Sequence, residues 1–392
     1  MHGLRILQCV SFESPPKNKV AILYYDDYWI RRLILQDIPA TTLEIYPRKI
    51  YISWNILYLI LLELIKLNFK EYALNKIYSL YIKSCLDSIG AKVVLCTIDN
   101  SSFFQKLSRF DWGRQYIGIQ NGVRTKACLK DSLVINKNND WQKISMPNLY
   151  CFGNRDIDLY KKYNHLIDNH VAVGSLIGGY FTSKIYDESL NKNYDICLVS
   201  QWVESIFDEA LLLNVDAKNN FNTNVINRVS SSLIKLNKYL LRLINEETLK
   251  VCITLRTNNE NELVFFKNCF GNNVKYINSD IKNFSSYRSC NESKLALGLN
   301  STVLLEVLRT NTKVLFCNLY GYDYYEMADA GISYFEGDDY YEFKKRVLYL
   351  LKMNNDLYFS ESKGKFEYIS NINNENPPHL IIRGHVISLT QI

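Results

Sequence analysis

Residues 93–104 read VVLCTIDNSSFF, and the way this stretch breaks decides how the chain is built. The apolar, β-branched run Val93–Ile98 lacks the polar alternation of a half-exposed strand, so it reads as a strand covered on both faces. It stops at Asp99-Asn100, and the serine pair that follows opens a helix, Asp and Ser both being good N-caps. A buried strand passing straight into a helix is half of a βαβ unit. The same pattern recurs in both directions along the chain. Strand-like runs at Val20–Tyr25, Lys92–Ile98, Tyr116–Gln120, Leu149–Phe152 and His170–Val173 alternate with helical stretches at 28–37, 54–88, 101–108 and 154–163. Further runs follow at Tyr194–Ser200, Lys250–Arg256, Val274–Ile277, Leu295–Leu299, Lys313–Asn318 and Ser333–Phe335. Their helices are expected at 202–213, 223–246, 258–269, 284–290, 301–309 and 341–353.

Short apolar strands alternating with longer helices define an α/β protein with parallel sheets. At 392 residues the chain exceeds one ordinary core. Two successive sets of elements therefore imply two Rossmann-like doubly wound domains facing each other across a cleft. The expected division is 1–180, an acceptor and catalytic domain, and 190–370, a nucleotide-binding domain. A tail at 371–392, with Pro377-Pro378 and little helical pattern, completes the chain. The linking stretch GSLIGGYFTSKIYDESLNKN (174–193) carries Gly178-Gly179 and reads as a hinge.

The formal charge of +6 is spread through the sequence, which is not the footprint of a nucleic-acid binder. It suits an anionic substrate or an anionic membrane face equally well. Ten cysteines form no C-x-x-C pair, and Cys96, Cys197, Cys252 and Cys317 lie inside strand-like runs. That is the usage of small buried hydrophobes in a reducing compartment. The N-terminal apolar stretch is too interrupted for a signal peptide. The expected location is cytoplasmic, with peripheral contact at the inner face of the cytoplasmic membrane as a second address. Residues 50–67, IYISWNILYLILLELIKL, bear on that question. Ser53, Asn55, Glu63 and Lys66 interrupt them, so a buried or half-buried domain helix is the first reading, an interfacial docking helix the second and a span the third.

Open α/β sheets place their chemistry at the carboxyl ends of strands. In the first half three such ends are polar: Asp26-Asp27, Asp99-Asn100, and Gln120-Asn121-Gly122-Val123-Arg124. A carboxylate, an amide pair and a guanidinium at neighbouring strand tips suit glycosyl transfer from an acidic sugar. Unrelated turns and caps would leave the same residues. In the second half LALGLNSTVLLEVLRT (295–310) runs from a strand into Ser301 and Thr302, whose hydroxyls and amides could receive a phosphate, with Glu306 one turn on for a ribose or base. An ordinary cap with a partner Glu is the plain alternative. Ser200, Gln201 and Arg256 close two further strands. Glycine-rich dinucleotide and P-loop motifs are missing, as is the nucleophile elbow of serine hydrolases. The five histidines show no metal-ligand spacing, so no metal site is expected. The Tyr- and acid-rich run 321–343 reads as a solvated loop and helix start, with acceptor-sugar stacking as its rival.

The order TIDNSSFF, IGIQNGVR, YCFGNRDIDLYKKY, VAVGS, CITLR, GLNSTVLLEVL, over roughly residues 90–320, resembles bacterial surface carbohydrate biosynthesis proteins. These are GT-B-type glycosyltransferases related to retaining β-Kdo transferases, which use CMP-activated ulosonic acids. The resemblance implies transfer of Kdo or a related sugar from a CMP donor to lipopolysaccharide, capsule or a similar glycan. It implies Asp99 as nucleophile, with Asp26 or Asp27 as a further acid. Asn100, Gln120, Asn121 and Arg124 would hold the donor sugar, and Ser200, Gln201, Arg256, Ser301, Thr302 and Glu306 the nucleotide. Many such relatives carry His where Asn121 stands, which weakens any scheme needing an imidazole there. No cofactor or metal is implied, since helix amides and Arg256 can take the phosphate charge. Two alternatives stand beside it: a GT-B-type transferase using a UDP-sugar, dTDP-sugar or CDP-alditol donor, and a non-catalytic polysaccharide-assembly scaffold.

Overall fold

A computed structural model of the chain describes residues 9–23, 28–44, 49–66, 74–99, 101–111, 113–124, 144–184, 191–204, 220–319, 327–373 and 375–391. The chain divides into two compact units, Met1–Ile177 with Glu375–Ile392, and Gly178–Asn374. The strands of the first unit are β1 (Val10–Ser11), β2 (Val20–Leu23), β3 (Ala40–Leu43), β4 (Ile50–Tyr51), β5 (Val93–Cys96), β6 (Gln115–Ile119), β7 (Ser145–Cys151) and β8 (Leu166–Ala172). Six of them make a sheet in the order β3-β2-β5-β6-β7-β8, every pair parallel, while β1 pairs with β4 alone. The strands of the second unit are β9 (Tyr194–Val199), β10 (Val251–Thr254), β11 (Lys275–Ile277), β12 (Ser293–Gly298), β13 (Lys313–Asn318) and β14 (Tyr334–Glu336). They form one parallel sheet in the order β11-β10-β9-β12-β13-β14.

Both sheets reverse strand order once, the first between β2 and β5, the second between β9 and β12. Those are the points where a doubly wound sheet opens a crevice at its carboxyl edge. The strands β2, β5, β10 and β13 are buried along their whole length, as the apolar runs that make up most of each require. At the second reversal Gly298 permits the close fit: a Cβ there would lie 3.1 Å from the Val199 carbonyl oxygen on the neighbouring strand.

Several expectations are corrected. The single helix expected over 54–88 is described as two, Trp54–Lys66 and Leu74–Ile89, with 67–73 outside the described residues. Ala40–Leu43 is a strand that its Thr-rich sequence did not announce. Gly178-Gly179 lie inside the helix Leu176–Lys184, not in a hinge loop. Gly178 is there because helix 176–184 packs tightly, a Cβ at this site coming 2.9 Å from Glu306 Cβ. The stretch read as an unpatterned tail contains the helix Pro378–Gln391, which returns to the first unit. Pro378 opens this helix rather than blocking it, because a first-turn residue needs no N–H and a proline φ suits the turn. Of the helix expected at 202–213, all beyond Glu204 lies outside the described residues, as does 320–326 of the Tyr-rich run.

Candidate functional site

At the first sheet's carboxyl edge the polar strand ends meet each other. β5 runs on through Thr97 and Ile98 to Asp99, which is 1% exposed. Arg124, four residues beyond Gln120 at the end of β6, grips that carboxylate with two nitrogens, Nε to Oδ2 at 3.0 Å and Nη2 to Oδ1. Tyr160 donates its hydroxyl to the same Oδ2 at 3.2 Å from the helix Asn154–Lys162 that follows β7. Burial alone would lower the Arg124 pKa, but the adjoining Asp99 carboxylate more than reverses this and raises it. Burial, then Asp99, pushes the Tyr160 phenol up. Asp99 thus ties three successive βα connections together.

The carboxylate and the guanidinium expected at neighbouring strand tips are therefore bonded to each other. Asp99 is not the helix cap, since Ser101 caps the helix Ser102–Phe110 by accepting from Phe104 N at 3.3 Å. Arg124 spends its charge on Asp99 and donates at 3.0 Å to the exposed Asn121 side chain, instead of awaiting a substrate carboxylate. Gln120 is buried, its Oε1 accepting from Phe152 N at 2.7 Å, while its Nε2 meets no partner among the described residues. Asp26, Asp27 and Asn100 lie outside the described residues.

One residue here escaped the sequence reading. Asp156, in the first turn of helix 154–162, is fully buried, and neither carboxylate oxygen finds a hydrogen-bond partner among the described residues. Burial pushes its pKa up to about 7, against the opposing pull of Arg155, Gln120 and Arg124. Its neighbours in sequence, Arg155 and Asp158, carry charges that made it look like one more solvated helix residue.

The second sheet's reversal point is organised by another residue the sequence reading passed over. Glu262 is fully buried, and four groups converge on its carboxylate. Ser200 Oγ donates to it from the end of β9. Arg256 N and Thr257 N each donate at 2.8 Å, and Thr257 Oγ1 at 2.6 Å, from the loop after β10. A signal existed: Asn259 and Glu262 have the N-cap-to-third-residue spacing of a capping box. Asn259 does cap the helix Glu260–Phe270, but Glu262 turns away to fasten the preceding strand ends. With Ser200 and the 256–257 backbone held, the Arg256 side chain is left exposed at the rim.

Across the same reversal point, β12 ends at Gly298 and the chain runs on through Leu299 to Asn300 and Ser301. The Oδ1 of Asn300 is buried with no partner among the described residues. Ser301 caps the short helix Thr302–Glu306 by accepting from Val303 N at 3.3 Å. Glu306 is buried and accepts from Tyr287 OH at 2.7 Å. The structure therefore brings Ser200 and Arg256 together through Glu262, and sets Ser301, Thr302 and Glu306 on one element opposite. Gln201 follows Ser200, half-buried. Among the described residues no group of three or more His, Cys, Asp or Glu side chains is placed to hold a metal ion, and no helix is long and apolar enough to cross a membrane.

Two parallel-sheet Rossmann-like units, each with a single reversal point, define a GT-B-like α/β protein. Within that class, the profile of a family described as "putative O-antigen biosynthesis protein" matches residues 117–337, more than half of the chain, and the chain belongs to this family. No curated protein matches it in sequence. Solved structures share its fold across nearly the whole chain. The UDP co-structure of MnaA from S. aureus has TM-score 0.56 at 12% identity, covering 96% of this chain and 98% of that one. The wall teichoic acid polymerase TagF, H548A, has TM-score 0.53 at 11% identity, covering 96% and 90%. A glycosyltransferase from Rickettsia africae has TM-score 0.50 at 10% identity, covering 96% and 98%. Identities this low speak to the fold alone.

Proposed function

We propose that this protein is a glycosyltransferase of bacterial surface-polysaccharide assembly that binds a nucleotide-activated sugar at the second unit's reversal point. The observation that carries the reading is Glu262, which fixes the Ser200 end of β9 to the 256–257 loop of β10. A built, buried anchor of this kind is what a nucleotide crevice needs, and the unpartnered Asn300 Oδ1 lies at the strand end across from it. The exposed Arg256 guanidinium suits the diphosphate or phosphate charge, and a scheme using it and backbone amides requires no metal. The family description and a fold shared with a UDP co-structure support a nucleotide-sugar donor.

For the donor, the motif resemblance favours a CMP-ulosonic acid such as CMP-Kdo, with retention. Its two sugar-handling groups are weakened by the Asp99–Arg124 pair, so a UDP-sugar stands level with it in this proposal. Asp99 and Arg124 become positioning residues. The acid chemistry then falls to Asp26 or Asp27, which follow β2 in sequence.

A thermal-shift screen of CMP, CDP, UDP, dTDP, CMP-Kdo and UDP-GlcNAc tests the donor. The matching nucleotide should raise the melting temperature with the logarithm of its concentration, and Arg256→Ala should weaken that response at least tenfold while leaving the unliganded melting point unchanged. No shift with any of them would end the nucleotide reading. Donor turnover separates a transferase from a scaffold, which binds the donor and releases nothing. One of the two variants Asp26→Asn and Asp27→Asn should abolish turnover in a folded protein. Asp99→Asn should instead cost about 3 kcal/mol of stability in urea unfolding, because it strands a buried guanidinium.

A further inference from the structure

The helix Trp54–Lys66 carries apolar residues on two opposite sides, yet only one of these sides is covered. Ile56 is buried and Ile60 packs against the first unit's core. Glu63, on the same inward side, bonds Lys83 at 3.1 Å from the helix Leu74–Ile89. The opposite side shows Trp54 at 87% exposure, Ile65 at 70%, and Leu57, Tyr58 and Leu61 at about half. Their spacing, i, i+3, i+4, i+7 and i+11, puts all five on one stripe of an α-helix about 16 Å long. No charged residue stands among them. Exposed large apolar side chains scattered singly need no explanation, but five in an uninterrupted row do.

We infer that this stripe is an interfacial membrane anchor that lays the first unit on an anionic lipid surface. Three features select lipid over a second copy of the chain. The row is one side chain wide and offers on the order of 500 Å² of apolar surface, scaled from about 150–250 Å² for a whole aromatic side chain. A stable protein interface takes about 800 Å² from each partner, so the stripe is too small to hold a dimer alone. Trp54 and Tyr58 have an apolar body and a polar tip, the chemistry that settles at the headgroup level. The chain's net charge of +6 favours approach to anionic lipid. The helix itself is too short to span, so it lies in the interface plane. Lys49, near its start, is half-exposed but bonded to Glu13, so the apolar row rather than a local basic cluster carries the contact. The inference owes nothing to the identity of the donor and survives the failure of the sugar reading.

The test uses the full chain with vesicles of phosphatidylethanolamine and phosphatidylglycerol at 3:1, and vesicles of phosphatidylcholine alone. The wild type should float with the anionic vesicles, and Leu57→Glu/Leu61→Glu should lose at least tenfold in bound fraction with an unchanged melting temperature. Brominated lipids should quench the wild-type tryptophan emission and leave Trp54→Phe unquenched, which decides the matter even where the double variant fails to fold. Wild type that stays unbound with both vesicles overturns the anchor, as does a folded double variant that floats like wild type. A wild-type dimer in light scattering that the double variant abolishes, without vesicle binding, would give the stripe to a second copy.

Discussion

Asp156 shows what burial does to a carboxyl group when it outweighs the groups around it. In the unfolded chain it titrates near 4, whereas burial in the folded chain moves it to about 7. Between those values the folded state holds a proton that the unfolded state has released, so stability falls as pH rises through the window from about 4 to 7 and stays low above it. Three pH units of displacement set an upper bound of about 4 kcal/mol, reduced by the favourable place of a negative charge in a first helical turn. Asp156→Asn keeps the shape of the protonated acid and removes the titration. Its urea midpoint should match wild type near pH 4 and exceed it at pH 8 by roughly 2–3 kcal/mol in unfolding free energy. A difference that does not change with pH would mean that Asp156 stays ionised in the folded protein. The same environment explains why this residue was not legible. In NRDIDLYKK (154–162) it stands among charges typical of a solvated face, and only the fold shows which residue of the helix turns inward. Asp99 was legible as a strand end but its ion pair was not, because its partner lies 25 residues away and pairing at that range leaves no local mark.

At the scale of elements, what could be read was the strand whose residues are apolar on both faces, such as VVLC at β5 or VCIT at β10. What could not be read was the element stabilised by its surroundings. Ala40–Leu43 is short and lacks an unbroken apolar run, so it stands out only once paired beside β2, and Pro378–Gln391 begins with a residue that usually ends helices. Glycines inside helices gave the same difficulty, since the sequence does not say whether a glycine marks a bend or a contact. Gly178 and Gly384 are both helical and predict opposite outcomes. A Cβ on Gly384 meets nothing within 4 Å, so Gly384→Ala should gain about 0.5–1 kcal/mol from helix propensity alone. A Cβ on Gly178 would meet Glu306 Cβ at 2.9 Å and its Cα at 3.3 Å, and a backbone neighbour cannot swing aside. Gly178→Ala should therefore lose stability, by about 1 kcal/mol after the propensity gain, and loosen the Glu306–Tyr287 bond in the process. Thermal melts of the two variants side by side read the signs directly, and equal signs would deny the packing.

For the molecule as a whole, the chain's order matters more than its division. The first unit is not finished when its sheet is: after the second unit has been built, residues 375–392 return to it. Helix 378–391 seals Ile382 and Val386 completely. Arg383 donates to the Ile34 and Leu35 carbonyl oxygens at 2.9 and 3.1 Å, where the π-helical turn Ile30–Leu35 ends. Tyr150 hydroxyl and His385 Nδ1 lie 2.6 Å apart, and Lys19 donates to the Thr390 carbonyl at 2.7 Å. Two fully buried aliphatic side chains are worth about 1.5–3 kcal/mol each, and the carbonyls uncovered with Arg383 add to that. Removing residues 375–392 should therefore take about 4–6 kcal/mol from the first unit, most of the margin of an ordinary domain, while leaving the second unit's own contacts whole. Hydrogen exchange resolves the two: protection should collapse in β2, β5, β6 and β7 and persist in β9, β10, β12 and β13. Loss spread evenly over both sheets would show that the two units unfold as one, and undiminished protection in the first would show that the returning helix only rests on it. Because the segment that closes the first unit follows the second unit in sequence, synthesis of the second unit precedes completion of the first.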